Sequence, residues 1–132
     1  MRKKTSTSGH LEEEVYNDLA RLLKGLDRKR TVLLTHIPPY GILDQVVKEY
    51  RKYGVGTYGK RAREGHIGSV GLKKAISRFK PALHIFGHIH ECKGMFKNKT
   101  TFVNTGSAGE KGDVAEIYVD SGKIKVAFKR FK

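Results

Sequence analysis

Pro81-Ala82-Leu83-His84-Ile85-Phe86-Gly87-His88-Ile89-His90 is the stretch on which the reading of this 132-residue chain turns. Pro81 ends whatever helix precedes it, and Ala82 to Phe86 is a short apolar run of the length of a buried strand. Gly87 then lets the chain bend, and two imidazoles follow two residues apart. A glycine-permitted bend at the end of a buried strand turns both rings toward one cleft, where each neutral imidazole offers a lone pair to a transition metal. A bare His-x-His also suits two unrelated loop histidines, so the pair needs a partner before it carries chemistry.

Working outward, the segment before Pro81 has Leu72, Ala75, Ile76 and Phe79 at i, i+3, i+4 and i+7, with Ser69 placed to cap a helix. Further upstream, Thr31 to Thr35 reads as a second buried strand. It stops at His36, ahead of Pro38 and Pro39, which cannot continue a central strand. In open α/β sheets the carboxyl ends of the strands form the ligand crevice, so His36 joins His88 and His90 as a candidate ligand from far away in sequence. Leu11, Val15, Leu19, Leu22, Leu23 and Leu26 define an earlier helix, with Ser8 or Gly9 as cap, Glu12 to Glu14 suited to its positive end and Gly25 at its close. Residues 42–50 suit a short helix, and the glycine-rich, basic residues 53–68 suit a loop.

Downstream, β-runs over 94–97 and 100–104 turn at Asn98, and runs over 114–119 and 123–129 turn at Ser121 and Gly122. Helices crossing between buried strands, followed by hairpins, predict an α/β layered fold with antiparallel strands at its end. The length suits one domain over residues 1–132, with no repeat or linker. The longest apolar runs fall far short of the ~20 residues that span a bilayer, and the basic Met1 to Lys4 lead is followed by Thr and Ser rather than an apolar core. A cytoplasmic location is expected. The single cysteine, Cys92, forms no internal disulfide and agrees with a reducing compartment.

The excess of 27 Lys and Arg over 13 Asp and Glu, a net +14, has two readings. One is a surface that attracts a phosphate-bearing partner; the other is a lysine-rich, solvated surface of the thermophilic kind. The basic residues never gather into an arginine-rich helix or an aromatic stacking motif, so nucleic-acid binding has weak support.

Taken in order, Thr35-His36-Ile37-Pro38-Pro39, Gly65-His66-Ile67-Gly68-Ser69, Ile85-Phe86-Gly87-His88-Ile89-His90-Glu91 and Val103-Asn104-Thr105-Gly106-Ser107 resemble the second half of the calcineurin-like metallophosphoesterases. The small archaeal and bacterial branch of predicted phosphoesterases is the most similar. The resemblance runs from about Thr31 to Ser107 and implies the C-terminal half of that family's layered α/β sandwich. It implies a dinuclear centre of divalent transition metals (manganese, iron or zinc), with His36 and His88 on one ion and His90 on the other. It also implies phosphodiesterase or phosphatase chemistry, with His66 lining the substrate pocket and Asn104 in a turn beneath the metals, in a substrate-binding or a purely structural role.

The family's first half carries D-x-H, G-D and G-N-H, and none of these stands before His36, where only Asp18 and Asp27 occur among aspartates. Three neutral imidazoles do not balance two dications. Activity is therefore expected only when an N-terminal half completes the site, and the alternative is a non-catalytic metal- or phosphate-binding module. An incomplete sheet is expected to expose a strand edge, open to a separate N-terminal polypeptide or to self-association; a truncated or split reading frame would leave the same edge. Among the remaining residues, His84 is expected to be a packed histidine, Cys92 a small core residue, His10 solvated, and Asp44 a helix cap.

Overall fold

A computed structural model describes residues 8–46 and 65–131 of the chain, with the side chains of residues 8–10 excepted. Helix α1 spans Ser8–Leu23, strand β1 Val32–Leu34, helix α2 Val70–Phe79 and strand β2 Leu83–Phe86. A short hairpin follows, β3 Gly94–Lys97 and β4 Thr101–Asn104. A single turn of helix, α3 Ala108–Lys111, leads into a long hairpin, β5 Asp113–Asp120 and β6 Lys123–Arg130. Two strand-to-strand units dominate. β1, β2 and β4 run parallel, β3 pairs antiparallel with β4, and the sheet order is β1-β2-β4-β3. The parallel pairing of β1 with β2 requires a crossover, and α2 lies on it.

Helix α2 forms where its residues dictate. Ser69 is extended, and its hydroxyl accepts from the Leu72 amide, satisfying an amide that has no partner within the helix. Leu72, Ala75 and Ile76 are buried, and Leu72 and Ile76 pack with Phe86, Phe102 and Ile42 as the core. Lys80 ends the helix in a left-handed cap, its amide bonded to the Ile76 carbonyl, just before Pro81. Val15 and Leu19 of α1 pack against the same core.

The two helices meet without space to spare. A Cβ on Gly71 would stand 2.1 Å from the Glu12 carbonyl oxygen. Because α1 begins at Ser8, Glu12 lies beyond its first turn, and no acidic residue occupies that turn. The Glu12 carboxylate serves α2 instead, accepting from the Ser69 hydroxyl (2.5 Å) and the Gly71 amide (2.6 Å). A carboxylate at a helix N-terminus is favourable, here supplied by a neighbouring helix.

Two expectations need correction. The 31–35 strand is not buried: β1 is the edge of the sheet, Val32 and Leu34 are 54% and 73% exposed, and only Leu33 packs against the core. Residues 42–46 are not helical. Gln45 forms an antiparallel bridge to His66, so pairing with a distant segment overrides the local preference. The remainder of the expected helix, most of the expected loop, the Met1 to Lys4 lead and the His10 side chain lie outside the described residues. The terminal hairpin is as expected: Ser121 and Gly122 both adopt positive φ (48° and 81°), the two-residue turn whose twist matches its strands.

Asp113 fastens that hairpin. Its buried carboxylate accepts from the Ser107 amide (3.1 Å), Lys93 Nζ (3.0 Å) and the Arg130 guanidinium (3.1 Å). The first contact is with the backbone of the turn after β4, where Gly106 has φ of 78° and a Cβ would lie 2.6 Å from the Asp113 carboxylate. No described helix is long and apolar enough to cross a membrane.

Candidate metal centre

The ladder between β1 and β2 continues past the named strands. The Thr35 amide donates to the Ile85 carbonyl (3.0 Å) and the Gly87 amide to the His36 carbonyl (3.1 Å), which fixes His36 beside Gly87. On the other flank the Thr105 amide donates to the Phe86 carbonyl (3.0 Å), so the carboxyl ends of β1, β2 and β4 meet at one level.

The bend after β2 is made by His88 rather than by Gly87. His88 has φ of 67°, and the Ile89 amide closes back onto the Gly87 carbonyl at 2.8 Å, a three-residue turn with histidine at its apex. That conformation is strained for any residue with a side chain, costing about 1–3 kcal/mol, and persists only where its surroundings hold it. Asn104 supplies part of the restraint. It is completely buried, its amide nitrogen donates to the carbonyls of Ile89 (3.0 Å) and Leu43 (3.3 Å), and its amide oxygen accepts from Gly106 N (3.0 Å). In this structure its polar atoms are spent on the backbone of three segments.

The result is a pocket of about 350 Å³ walled by His36, His88, His90, Thr105 and Ser107 at the end of the sheet. His36 Nε2 and His88 Nδ1 face each other at 3.1 Å, their rings edge to face. Bonds of about 2.1 Å from two imidazole nitrogens to one ion span such a separation, so this pair fits a metal. Burial, and then the neighbouring His36 and His90, hold the His88 imidazole below its usual range, which favours its neutral form. His90 lines the same pocket and its Nδ1 is paired with Glu110 Oε2 at 2.9 Å. Among the described residues no set of three or more His, Cys, Asp or Glu side chains stands ready to hold an ion. Two candidate ligands are brought together, the third lines the same pocket, and among the described residues no carboxylate completes a set.

His66 lies elsewhere. It is bridged to Gln45, its ring is 5.5 Å from that of Tyr40, and its Nδ1 is 2.8 Å from Asp44 Oδ1. Asp44 is 1% exposed, and its other oxygen accepts from the Gly41 and Gly68 amides, both at 2.9 Å. The helix-cap expectation for Asp44 is thus corrected: it clamps the turn after Pro39 to the His66 segment. His84 is a packed histidine, as expected, fully buried within β2. Cys92 is only partly buried. Its thiol donates to the Gln45 carbonyl, and burial raises its pKa. Sequence reasoning missed the roles of Glu12, Glu110 and Asp44, because the partners that define them (Ser69 and Gly71, His90, and His66 and Gly68) lie 20 or more residues away and leave no local signal.

No family model matches the chain. No solved structure matches it either. Among curated proteins it is 35% identical over 97 residues to a UPF0046 protein of Caenorhabditis elegans, covering 73% of this chain and 28% of that one. It is 39% identical over 75 residues to metallophosphoesterase domain-containing protein 1 of Homo sapiens, and equally to that of Mus musculus, covering 55% of this chain and 19% of each of those. The chain thus spans less than a third of the length of the curated relatives it matches. On these similarities and on the order of its motifs, the chain is a relative of the metallophosphoesterase-domain proteins that carries the C-terminal, histidine-bearing portion of the calcineurin-like family.

Proposed function

We propose that this chain is the histidine-supplying part of a metal-dependent phosphoester hydrolase, a phosphodiesterase or phosphatase of the cytoplasm. The observation that carries the reading is the 3.1 Å approach of His36 Nε2 to His88 Nδ1 at the carboxyl ends of β1 and β2. His36 and His88 would hold one divalent transition metal (manganese, iron or zinc), and His90 would serve a second. Such ions, when bound, supply Lewis-acid polarisation of a phosphoryl oxygen.

The chain's own residues do the rest. Asn104 and the parallel ladder hold the imidazoles in place, and the net +14 attracts an anionic ester. His66, oriented by Asp44, would contact the substrate. The aspartates that neutralise two dications would come from the remainder of a longer protein, or from a partner chain docking at the exposed β1 edge.

The test is co-expression with a polypeptide carrying the D-x-H, G-D and G-N-H segments, followed by an assay of manganese-dependent hydrolysis of a chromogenic phosphodiester. The reading expects activity that His88→Ala abolishes, and at most one weakly bound metal on the chain alone. Two tightly bound ions and turnover by the chain alone would contradict it. A stable but inactive complex would favour the second reading, a non-catalytic metal- or phosphate-binding module, for which the want of a complete ligand set among the described residues speaks.

A further inference from the structure

Helix α3 stands over the histidine pocket, and its one side chain with metal chemistry does not enter the ligand set. Glu110 turns to His90, Oε2 to Nδ1 at 2.9 Å. A carboxylate only accepts, so the proton of a neutral His90 sits on Nδ1 and the lone pair is left on Nε2. The backbone position of Glu110 is itself fixed. Its amide donates to the Ser107 hydroxyl (3.2 Å), Ser107 N donates to the buried Asp113 carboxylate (3.1 Å), and Asp113 is held by Lys93 and Arg130. The same Ser107 walls the pocket that His90 lines.

We propose that Glu110 is a positioning residue for His90: it selects the Nδ1–H tautomer and so leaves Nε2 as the nitrogen offered to a transition metal. Carboxylates in this relation to a ligand histidine fix ring orientation and raise its basicity, and their loss commonly lowers metal affinity 10- to 100-fold. The inference rests on the metal-site reading above, but it has one readout that needs no metal.

That readout is the tautomer of neutral His90 in the metal-free chain, taken from long-range ¹⁵N–¹H correlation spectra of the chain, Glu110→Gln and Glu110→Ala. The protein is expected to show the proton on Nδ1. Glu110→Gln, whose amide oxygen still accepts, is expected to keep it there, whereas Glu110→Ala shifts it toward Nε2. In a parallel zinc titration Glu110→Ala is expected to bind about 10- to 100-fold more weakly. An unchanged tautomer in Glu110→Ala would overturn the proposal, as would an unchanged zinc affinity where His88→Ala abolishes binding. If His88→Ala leaves zinc affinity intact, the metal-site reading fails and takes the proposal's purpose with it, even where the tautomer responds.

Discussion

Acidification from about pH 7.5 to about 4.5 is expected to weaken this fold through His84. It is completely buried in β2, between the rings of Phe86 and Phe102 (centroids 4.7 and 5.9 Å). Its Nε2 lies 2.8 Å from Thr35 Oγ1, and that hydroxyl already donates its only proton to the Ile37 carbonyl at 2.7 Å. His84 must therefore donate through Nε2–H, and Nδ1 is left as a buried atom with no partner. Protonating Nδ1 would place an uncompensated cation in the core, and burial accordingly lowers the pKa from 6.5 to about 3. The folded pKa is below the unfolded one, so beneath pH 6.5 the unfolded chain binds a proton that the folded chain refuses. Stability from this group is flat above about pH 6.5 and falls as pH drops toward 3. At about 1.4 kcal/mol per pH unit, the loss between pH 7.5 and 4.5 comes to about 2–3 kcal/mol. For ordinary denaturant slopes that moves the urea midpoint by roughly 1–2 M. The assay is urea unfolding of the chain and of His84→Leu at both pH values, with His84→Gln as a second non-titrating variant. His84→Leu loses the bond to Thr35 whereas His84→Gln retains a side-chain donor for it, and neither should show the extra acid loss. Equal pH dependence in all three would refute the reasoning.

Helix propensity favours alanine over glycine by about 1 kcal/mol, yet Gly71→Ala is expected to lower stability by about 1–3 kcal/mol, because the added methyl meets the Glu12 carbonyl; a raised melting temperature would contradict the close helix contact. Asp44→Ala removes the acceptor of two backbone amides and of His66 and is expected to cost about 2–4 kcal/mol in urea unfolding, with the His66 ring losing its fixed orientation in NMR spectra. The Ser107 amide, with Lys93 and Arg130, lowers the Asp113 pKa from 3.8 to about 2. Its stabilisation is therefore complete above about pH 4 and lost as pH falls toward 2, so Asp113→Asn should be less stable than the parent at pH 7, with the gap closing below pH 4.

Much of the fold is legible in the chain because its signals are local. Ser69, the Leu72 to Phe79 stripe and Pro81 bound α2 within three turns, and Ser121-Gly122 between alternating runs fixes the last hairpin. The juxtaposition of His36 and His88 was legible for a different reason: each stands where a β-run gives way to a turn, and two parallel strands in register bring such positions side by side. What was not legible depends on pairing over long distance. The exposure of Val32 and Leu34 follows from β1 lying at the sheet edge, and nothing in the run Val32-Leu33-Leu34 differs from a central strand. Asp44 has the local setting of a cap, and only the Gln45 to His66 bridge gives it another task.

The strain at His88 bears on how such a site works. A left-handed histidine closing a three-residue turn costs about 1–3 kcal/mol, and a glycine at that position would relieve it. Here the structure around the turn bears the cost: the parallel ladder fixes Gly87 from one side, and Asn104 fixes Ile89 from below. The turn is thus set by buried protein groups, and it holds His88 Nδ1 3.1 Å from His36 Nε2. On the proposed metal-site reading, affinity for a first metal is expected to depend mainly on the number and charge of the ligands. On that reading, carboxylates supplied to this site are expected to strengthen zinc binding more than any further stiffening of the turn, and Asn104→Ala, which frees Ile89 from below, is expected to weaken it in a zinc titration.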